Sequence, residues 1–140
     1  MSTETEYVVR PIGRVHSTLR HRAEAPRQGF EGAPDARIHI LPAFLQGLDG
    51  IAAGQEILVL TWLHEAERDV LLVHPRDDEN RPMRGVFSTR SADRPNPIGV
   101  HRVTVLAVED DGWLHVRPLE AIDGTSVIDI KAIFAGIALE

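Results

Sequence analysis

Short segments with strand character, separated by Gly, Pro and Asp, are the feature that most constrains the fold of this chain. The segment 56–64, EILVLTWLH, is the most apolar of them and is typical of a buried strand. The segments 100–108 and 113–119 are predicted to pair as a hairpin, because the Asp-Gly step between them favours positive φ. The pattern therefore indicates a sheet protein rather than a helical one.

Seven or eight such strands and one short helix account for the chain. The other strands are predicted at 7–15, 37–41, 70–74, 86–89 and 126–129, and the helix at 42–48. A closed barrel removes the exposed edges that many short antiparallel strands would otherwise leave. The predicted fold is mainly β, a small closed antiparallel β-barrel with one short helix. Trp113 is expected to pack against an end of this barrel rather than stack on a base.

The length of 140 residues indicates one domain, 1–140, with residues 1–6 disordered. The chain has no cysteine, which excludes disulfides and zinc sites built on thiolates. Its seven histidines show no HxH or HxxxH spacing, so no metal site is predicted. No segment approaches the roughly 20 apolar residues of a membrane span, and no signal peptide is visible. We therefore expect a cytoplasmic protein without membrane contact.

The stretch 85–101, GVFSTRSADRPNPIGVH, concentrates polar side chains on a stiff loop. Pro95 and Pro97 each fix a φ angle and push the preceding residue into extended geometry. Arg90 and Arg94 lie on this braced scaffold, and the planar guanidinium fork suits carboxylate or phosphate. The stretch therefore predicts a ligand-binding loop, with a Pro-rich surface turn as the alternative.

Three other polar segments are candidates for the same site. The segment 16–34 has almost no periodicity, and long unstructured loops in compact domains are usually functional or disordered. His64 and Glu65 follow the buried strand, where a sheet commonly meets solvent or a ligand, although a histidine there is more often structural. Asp123 and Gly124 form a tight polar turn before the last strand. No GxGxxG, Walker or GxSxG motif is present, so the chemistry is expected to belong to a cofactor.

The stretch GVFSTRSADRPNPIG, followed by DGTSVIDIK, resembles the TsaA-like (YaeB-like) family. The likeness extends to IGRVHS at 12–17, APRQG at 25–29 and the strand ending in His64, so it covers nearly the whole chain. Members of this family include the tRNA methyltransferase that acts on N6-threonylcarbamoyladenosine at position 37, beside the anticodon. The resemblance implies a small β-barrel S-adenosylmethionine methyltransferase that works as a homodimer, with the cofactor near the subunit contact.

The site residues of the family are carried onto the matching positions of this sequence. The resemblance implies cofactor contacts from Pro26, Arg27, Gln28, His64, Glu65, Arg90, Val100, Ile122, Asp123, Gly124 and Thr125. The cofactor carboxylate suits Arg27 or Arg90, whereas its ammonium and ribose hydroxyls suit Asp123. Arg94 and Asn96 are candidates either to shape the loop or to hold the methyl acceptor.

This sequence departs from the family pattern at two places. The family motifs LDGT and KPY are replaced by IDGT at 122–125 and KAI at 131–133, and the second change removes an aromatic residue. The extra C-terminal domain of longer bacterial members is expected to be absent. Both departures bear on how an RNA acceptor would be held.

Two features of the reaction stay open at the level of the sequence. The proton that leaves the acceptor nitrogen has three candidate acceptors, Asp129, His64 and His101. Phosphate contacts are expected from arginines in local basic patches, because the net charge of −6 disfavours indiscriminate RNA binding. These arginines are Arg14, Arg20, Arg22 and Arg84. The preferred partner is the anticodon loop of tRNA; the alternatives are a small-molecule acceptor and a cofactor-binding barrel without turnover.

Overall fold

Six antiparallel strands close into a barrel in the computed structural model, which describes residues 4–27 and 31–134. The barrel strands are β1 Gly13–His16, β2 Ala36–Ile40, β3 Glu56–Trp62, β6 Ile98–Glu109, β7 Trp113–Arg117 and β8 Ser126–Ala132. Their order around the barrel is β1-β2-β7-β6-β3-β8. Two further strands, β4 Leu72–Val73 and β5 Arg84–Gly85, form a separate small sheet. The predicted closed, mainly β barrel is confirmed.

The interior of the barrel is filled by alternate residues of each strand. In β6, Val103 and Val105 are buried, whereas the preceding Arg102 points outward into solvent. Burying a Val, Leu or Ile side chain contributes roughly 1.5–3 kcal/mol relative to leaving it exposed. The residues with no more than 1% exposure in this core include Val15, Ile38, Ile40, Ile57, Val59, Val103, Val105, Leu114, Val116, Leu119 and Val127. This regular alternation keeps the register fixed, because a slip of one residue would turn the apolar set outward.

The hairpin and the short helix lie where the sequence predicts them. Asp111 and Gly112 have φ of 62° and 85°, so the Asp-Gly step adopts the left-handed geometry that a tight hairpin needs. The helix Pro42–Leu48 is of the 3₁₀ type, with Pro42 in its first turn. Both predictions are confirmed.

Other local predictions are wrong. Only Gly13–His16 of the predicted strand 7–15 joins the barrel; Pro11, which lacks an N–H, lies before it. The predicted strand at 86–89 is instead a 3₁₀ turn, Val86–Ser88. The reason lies in the side chains, since Ser88 Oγ donates to the Gly85 carbonyl at 2.9 Å and Thr89 Oγ1 donates to the Val86 carbonyl at 3.0 Å. Such local bonds favour turns over strands.

Trp113 also differs from its expected position. It alternates with the inward-facing Leu114 and therefore lies on the outer surface of the barrel, half-buried, rather than packing an end. Its ring contacts the imidazoles of His16 and His39 from the neighbouring strands.

Three connections leave the barrel at one end, which we call the loop end. β1, β3 and β7 end there, while β2, β6 and β8 begin there, as the pairs His16–Arg37 and Trp62–Ser126 indicate. The connections comprise residues 17–35, 63–97 and 118–125. The opposite end carries the 3₁₀ helix and the short hairpin turn. The polar segments singled out in the sequence therefore meet at the loop end.

Candidate functional site

An ion pair fixes the first connection to the second. Arg22 donates two hydrogen bonds of 2.9 Å to the two carboxylate oxygens of Asp93. Asp93 Oδ1 also accepts the backbone N–H of Glu67 at 2.9 Å, and the Arg94 N–H donates to the Glu67 carbonyl at 3.0 Å. The hydrogen bonds from Arg22 hold the pKa of Asp93 below its ordinary value. Arg22, a predicted phosphate contact, therefore serves here to join two loops.

A second pair of contacts involves the segment that the resemblance assigns to the cofactor. Arg27 donates to Asp77 at 2.7 Å, and Arg76 donates to Glu31 at 2.6 Å. The Arg27–Asp77 pair is largely exposed and contributes little to stability, whereas Glu31 of the second pair is only 26% exposed. Half-buried Pro26 precedes Arg27, whereas Gln28 lies outside the described residues.

The turn 122–125 is docked onto the end of β1. The Asp123 N–H donates to the Leu19 carbonyl at 2.7 Å, and the Gly124 N–H donates to the Val15 carbonyl at 2.8 Å. Asp123 Oδ1 accepts the Ser17 N–H at 3.0 Å. Gly124 has φ of 85°, and the flanking Ile122 and Thr125 are buried. The backbone of the turn is thus set by the barrel.

One oxygen of Asp123 keeps capacity for a ligand. Its Oδ2 lies 3.9 Å from Arg20 Nη1, too far for a hydrogen bond, and the side chain is 35% exposed. A hydroxyl or an ammonium could therefore donate to it. His64, Glu65 and Arg90 are exposed as well and make no hydrogen bond or ion pair with the other residues in 4–27 and 31–134. The loop end thus presents uncommitted groups of both signs.

Arg94 and Asn96 both make hydrogen bonds within the loop end. Arg94 Nη2 donates to the carbonyls of Val86 and Thr89, the latter at 2.8 Å. Asn96 Oδ1 accepts from Arg68 Nη2 at 3.0 Å. Both residues therefore contribute to the shape of the loop, and contact with the acceptor stays a prediction. Within the described part of the chain, Arg94 Nε is the one buried side-chain donor without a partner, so an acceptor placed against this loop would complete its hydrogen bonding.

A hydrogen-bonded chain of three side chains lies inside the barrel beneath the loop end. His101 Nε2 lies 2.7 Å from Thr61 Oγ1, and His101 Nδ1 lies 2.5 Å from Glu120 Oε1. Thr61 is fully buried and His101 is 5% exposed. Both ring nitrogens therefore have hydrogen-bond partners. Glu120 lies two residues before the docked turn 122–125. The sequence interpretation missed Thr61 and Glu120. The signal for Thr61 was its parity with the inward-facing Ile57 and Val59.

The three candidate proton acceptors are not brought together. His101 points into the barrel, whereas His64 follows β3 on the exposed loop end. Asp129 lies on the outer surface, where it and Val100 both pair with Leu60 from opposite sides of β3. Asp129 Oδ1 accepts the N–H of Ile130 at 2.9 Å. Val100 and Asp129 therefore share a face that His101 cannot reach.

The arginines predicted to bind phosphate differ in whether a carboxylate already pairs with them. Arg14 Nη1 donates to the Gly124 carbonyl at 3.2 Å and to Ser126 Oγ at 3.3 Å, which are both neutral partners. Arg20 is 71% exposed, and Arg84 is exposed on β5. Arg14 and Arg84 have no carboxylate partner among the described residues and Arg20 has only Asp123 at 3.9 Å, whereas Arg22 is held by Asp93 at 2.9 Å.

Comparison with known proteins identifies the family. Residues 14–137 match the family described as the tRNA-methyltransferase O N-terminal domain. This chain belongs to that family. A "Probable S-adenosyl-L-methionine-binding protein" of Methanothermobacter thermautotrophicus is 45% identical over 96% of both chains. An "S-adenosyl-L-methionine-binding protein" of Archaeoglobus fulgidus is 44% identical over 89% of this chain and 87% of its own length.

The solved structures of TrmO share the fold of this tRNA-methyltransferase O domain. TrmO from Pseudomonas aeruginosa superposes with a TM-score of 0.74 at 29% identity, over 97% of this chain. The match covers 60% of that longer chain. The family assignment thus confirms the resemblance seen in the RPNPIG and DGT motifs.

No helix within the described ranges is both long enough and apolar enough to cross a bilayer. The same ranges contain no grouping of three His, Asp or Glu side chains that could hold a metal ion.

Proposed function

We propose that this chain is an S-adenosylmethionine-dependent methyltransferase whose acceptor is N6 of threonylcarbamoyladenosine at position 37 of tRNA. The observation that carries the proposal is the meeting of the RPNPIG loop, the docked turn 122–125 and the exposed His64 and Glu65 at one end of a barrel of the tRNA-methyltransferase O family. The names of the archaeal relatives support S-adenosylmethionine as the ligand.

The groups available at the loop end fit that ligand. Arg90 is an uncommitted cation suited to the carboxylate, and Arg27 could exchange its exposed partner Asp77 for it. Asp123 Oδ2 and the Glu65 carboxylate suit the ammonium and the ribose hydroxyls. When bound, S-adenosylmethionine supplies an electrophilic methyl group on sulfur. The protein contributes alignment, since the backbone of the docked turn is already fixed before any ligand arrives.

Proton removal is assigned to an accessible group. A nitrogen that already carries a carbamoyl substituent is a weak nucleophile, so its proton must be accepted as the new bond forms. His64 and Asp129 are exposed and can meet an RNA base, whereas His101 is buried with both nitrogens occupied. We therefore assign proton acceptance to His64 or Asp129, and to His101 the positioning of Glu120 and the segment that follows it.

A homodimer is part of the proposal. The turn and the small sheet within the 63–97 connection expose large apolar side chains, with Phe87 at 82%, Leu71 at 61% and Leu72 at 58%. A cluster of this kind is typical of a surface covered by another protein. Light scattering of the purified protein tests this, with Phe87→Asp as the variant expected to give the monomer mass.

Label transfer tests the reaction. The protein is incubated with methyl-labelled S-adenosylmethionine and bulk tRNA that lacks this methylation, and the nucleosides are analysed by mass spectrometry. The proposal expects label on threonylcarbamoyladenosine and reduced transfer in His64→Gln or Asp129→Asn, with cofactor binding preserved in Asp129→Asn, a position outside the predicted cofactor contacts. Label on a small molecule alone would establish a metabolite acceptor instead. Cofactor binding without transfer to any pool would establish a binding barrel.

A further inference from the structure

The outer face of β1, β2 and β7 is unusually rich in basic and aromatic side chains for a chain with a net charge of −6. Strand alternation points seven such residues outward on three adjacent strands. They are Arg14, His16, Arg37, His39, Trp113, His115 and Arg117. We call this set the aromatic-basic face.

Trp113 forms the centre of this face. Its ring centroid lies 4.5 Å from that of His39 and 4.9 Å from that of His16, with interplanar angles of 33° and 56°. The Arg37 guanidinium lies 6.0 Å from the same ring. These contacts hold a large aromatic side chain at the surface instead of in the core, where its burial would stabilise the fold more.

The arginines of the face are not locked to buried carboxylates. Arg14 donates only to neutral oxygens, so its charge is uncompensated at close range. Arg37 pairs with Glu109 at 3.4 Å and Arg117 pairs with Asp35 at 2.5 Å, but all four side chains are more than a third exposed. The Arg37–Glu109 pair is a single contact and exchanges partners at little cost, whereas Arg117 is held by two hydrogen bonds to Asp35. A phosphate backbone therefore finds cations there.

The face is continuous with the candidate site. Arg14 contacts Gly124 of the docked turn, and it pairs across strands with His39, which in turn pairs with Trp113. Adjacent strands lie about 4.8 Å apart, so Trp113 is about 10 Å from Arg14 across β2. A row of side chains thus runs from the turn to the indole.

We propose that the aromatic-basic face binds single-stranded RNA next to the modified base, with Trp113 stacking on a base and Arg14 meeting phosphate. This inference rests on the proposed function, because it requires an RNA acceptor. Aromatic side chains stack on any base and track single strands together with basic groups. RNA loops are the single-stranded targets that such surfaces recognise.

Binding of a fluorescein-labelled anticodon stem-loop RNA, followed by anisotropy, tests the inference. Trp113→Ala is expected to weaken binding roughly 5- to 150-fold, the range found for loss of one stacking aromatic. Trp113→Phe should keep most of the affinity, and Tyr7→Ala, which removes an aromatic residue 88% exposed outside this face, should keep all of it. Arg14→Gln should lower the slope of log affinity against log salt by about one.

If Trp113→Ala fails to fold, the fluorescence of Trp113 itself provides a second test. The chain has two tryptophans, so Trp113 alone reports fluorescence in the Trp62→Phe variant. Quenching of that signal by the stem-loop supports stacking, and unchanged fluorescence at saturating RNA overturns it. Equal affinity of Trp113→Ala and the parent also overturns the inference, while label transfer to tRNA by the parent leaves the proposed function intact. Loss of RNA binding together with loss of the dimer, in both Trp113 variants, identifies the face as a contact between copies and overturns the inference as well.

Discussion

Gly99 is required because two side chains of the buried chain occupy the space where a Cβ would lie. A Cβ built on Gly99 falls 2.5 Å from Thr61 Oγ1 and 2.7 Å from His101 Nε2. Optimal non-bonded contacts are near 3.5 Å, so these atoms would have to retreat by about 1 Å. Their own hydrogen bond of 2.7 Å lies inside the barrel and has no room to shift intact. Gly99→Ala is therefore expected to break it.

The cost follows from these two effects. Overpacking a core costs about 1–3 kcal/mol, and a buried polar group left without its partner costs a similar 1–3 kcal/mol. Because the surrounding side chains can relax in part, the two costs do not add fully, and we expect the free energy of unfolding to fall by about 2–4 kcal/mol. A chain of this length loses about 3 °C of Tm per kcal/mol, so the melting temperature should drop by about 6–12 °C. Calorimetry and urea unfolding measure both quantities.

Gly85 provides the matched control. It also has an extended backbone, φ −62° and ψ 139°, but the nearest atom to its Cβ position is the Leu71 carbonyl oxygen at 4.0 Å. Gly85→Ala should leave Tm unchanged or raise it slightly, since alanine restricts the unfolded chain. Thr61→Ala combined with Gly99→Ala should cost less than the sum of the two, because both act on one contact. Equal Tm values for the two glycine variants would refute the reasoning.

Three further outcomes follow from the loop end. Arg22 lowers the pKa of Asp93 in the folded state. The Asp93 carboxylate therefore stabilises the fold fully above an ordinary aspartate pKa of about 4, and this stabilisation is lost as the pH falls through the lower folded value. In urea unfolding at a series of pH values, Asp93→Asn should make the acid-side fall in stability shallower. S-adenosylmethionine should raise Tm, and Asp123→Ala should remove most of that rise, whereas an equal rise in the variant would exclude Asp123 from the pocket. Arg20→Gln with Arg84→Gln should weaken tRNA binding and flatten its salt dependence without changing cofactor affinity; an unchanged salt slope would contradict this assignment.

The barrel could be predicted because short stretches of sequence specify each of its strands and turns. Alternating apolar residues, the Asp111-Gly112 turn and Pro42 at the start of a helix each specify an element within a few positions. The prediction failed at residues 86–89, where alternation suggested a strand but the hydroxyls of Ser88 and Thr89 bond back to the preceding turn. Periodicity carries no information about such side-chain bonds.

The sequence motifs named candidate site residues but carried no information on how those residues are arranged. The motifs named His64, Asp123 and Arg94, yet the contacts that join the loops depend on residues far apart in the chain, such as Arg22 with Asp93. Pairing at a separation of 71 residues leaves no local trace, because any arginine of the 16–34 segment could have met any carboxylate. The placement of His101 inside the barrel follows from its parity with the buried Val103 and Val105, whereas its contact with Thr61 depends on the register of β6 with β3.

The docking of the turn 122–125 divides the site into a rigid part and a pliable part. The amide of Gly124 is held by the Val15 carbonyl of β1, so its hydrogen exchange should require opening of the barrel itself. Arg27 and Glu31 are held to the second connection by ion pairs at the surface, so their own amides should exchange after small local openings. The entropy lost on ligand capture would then fall mainly on side chains such as Arg27, and substitutions at Arg27 would tune affinity without altering the geometry that the turn inherits from the sheet.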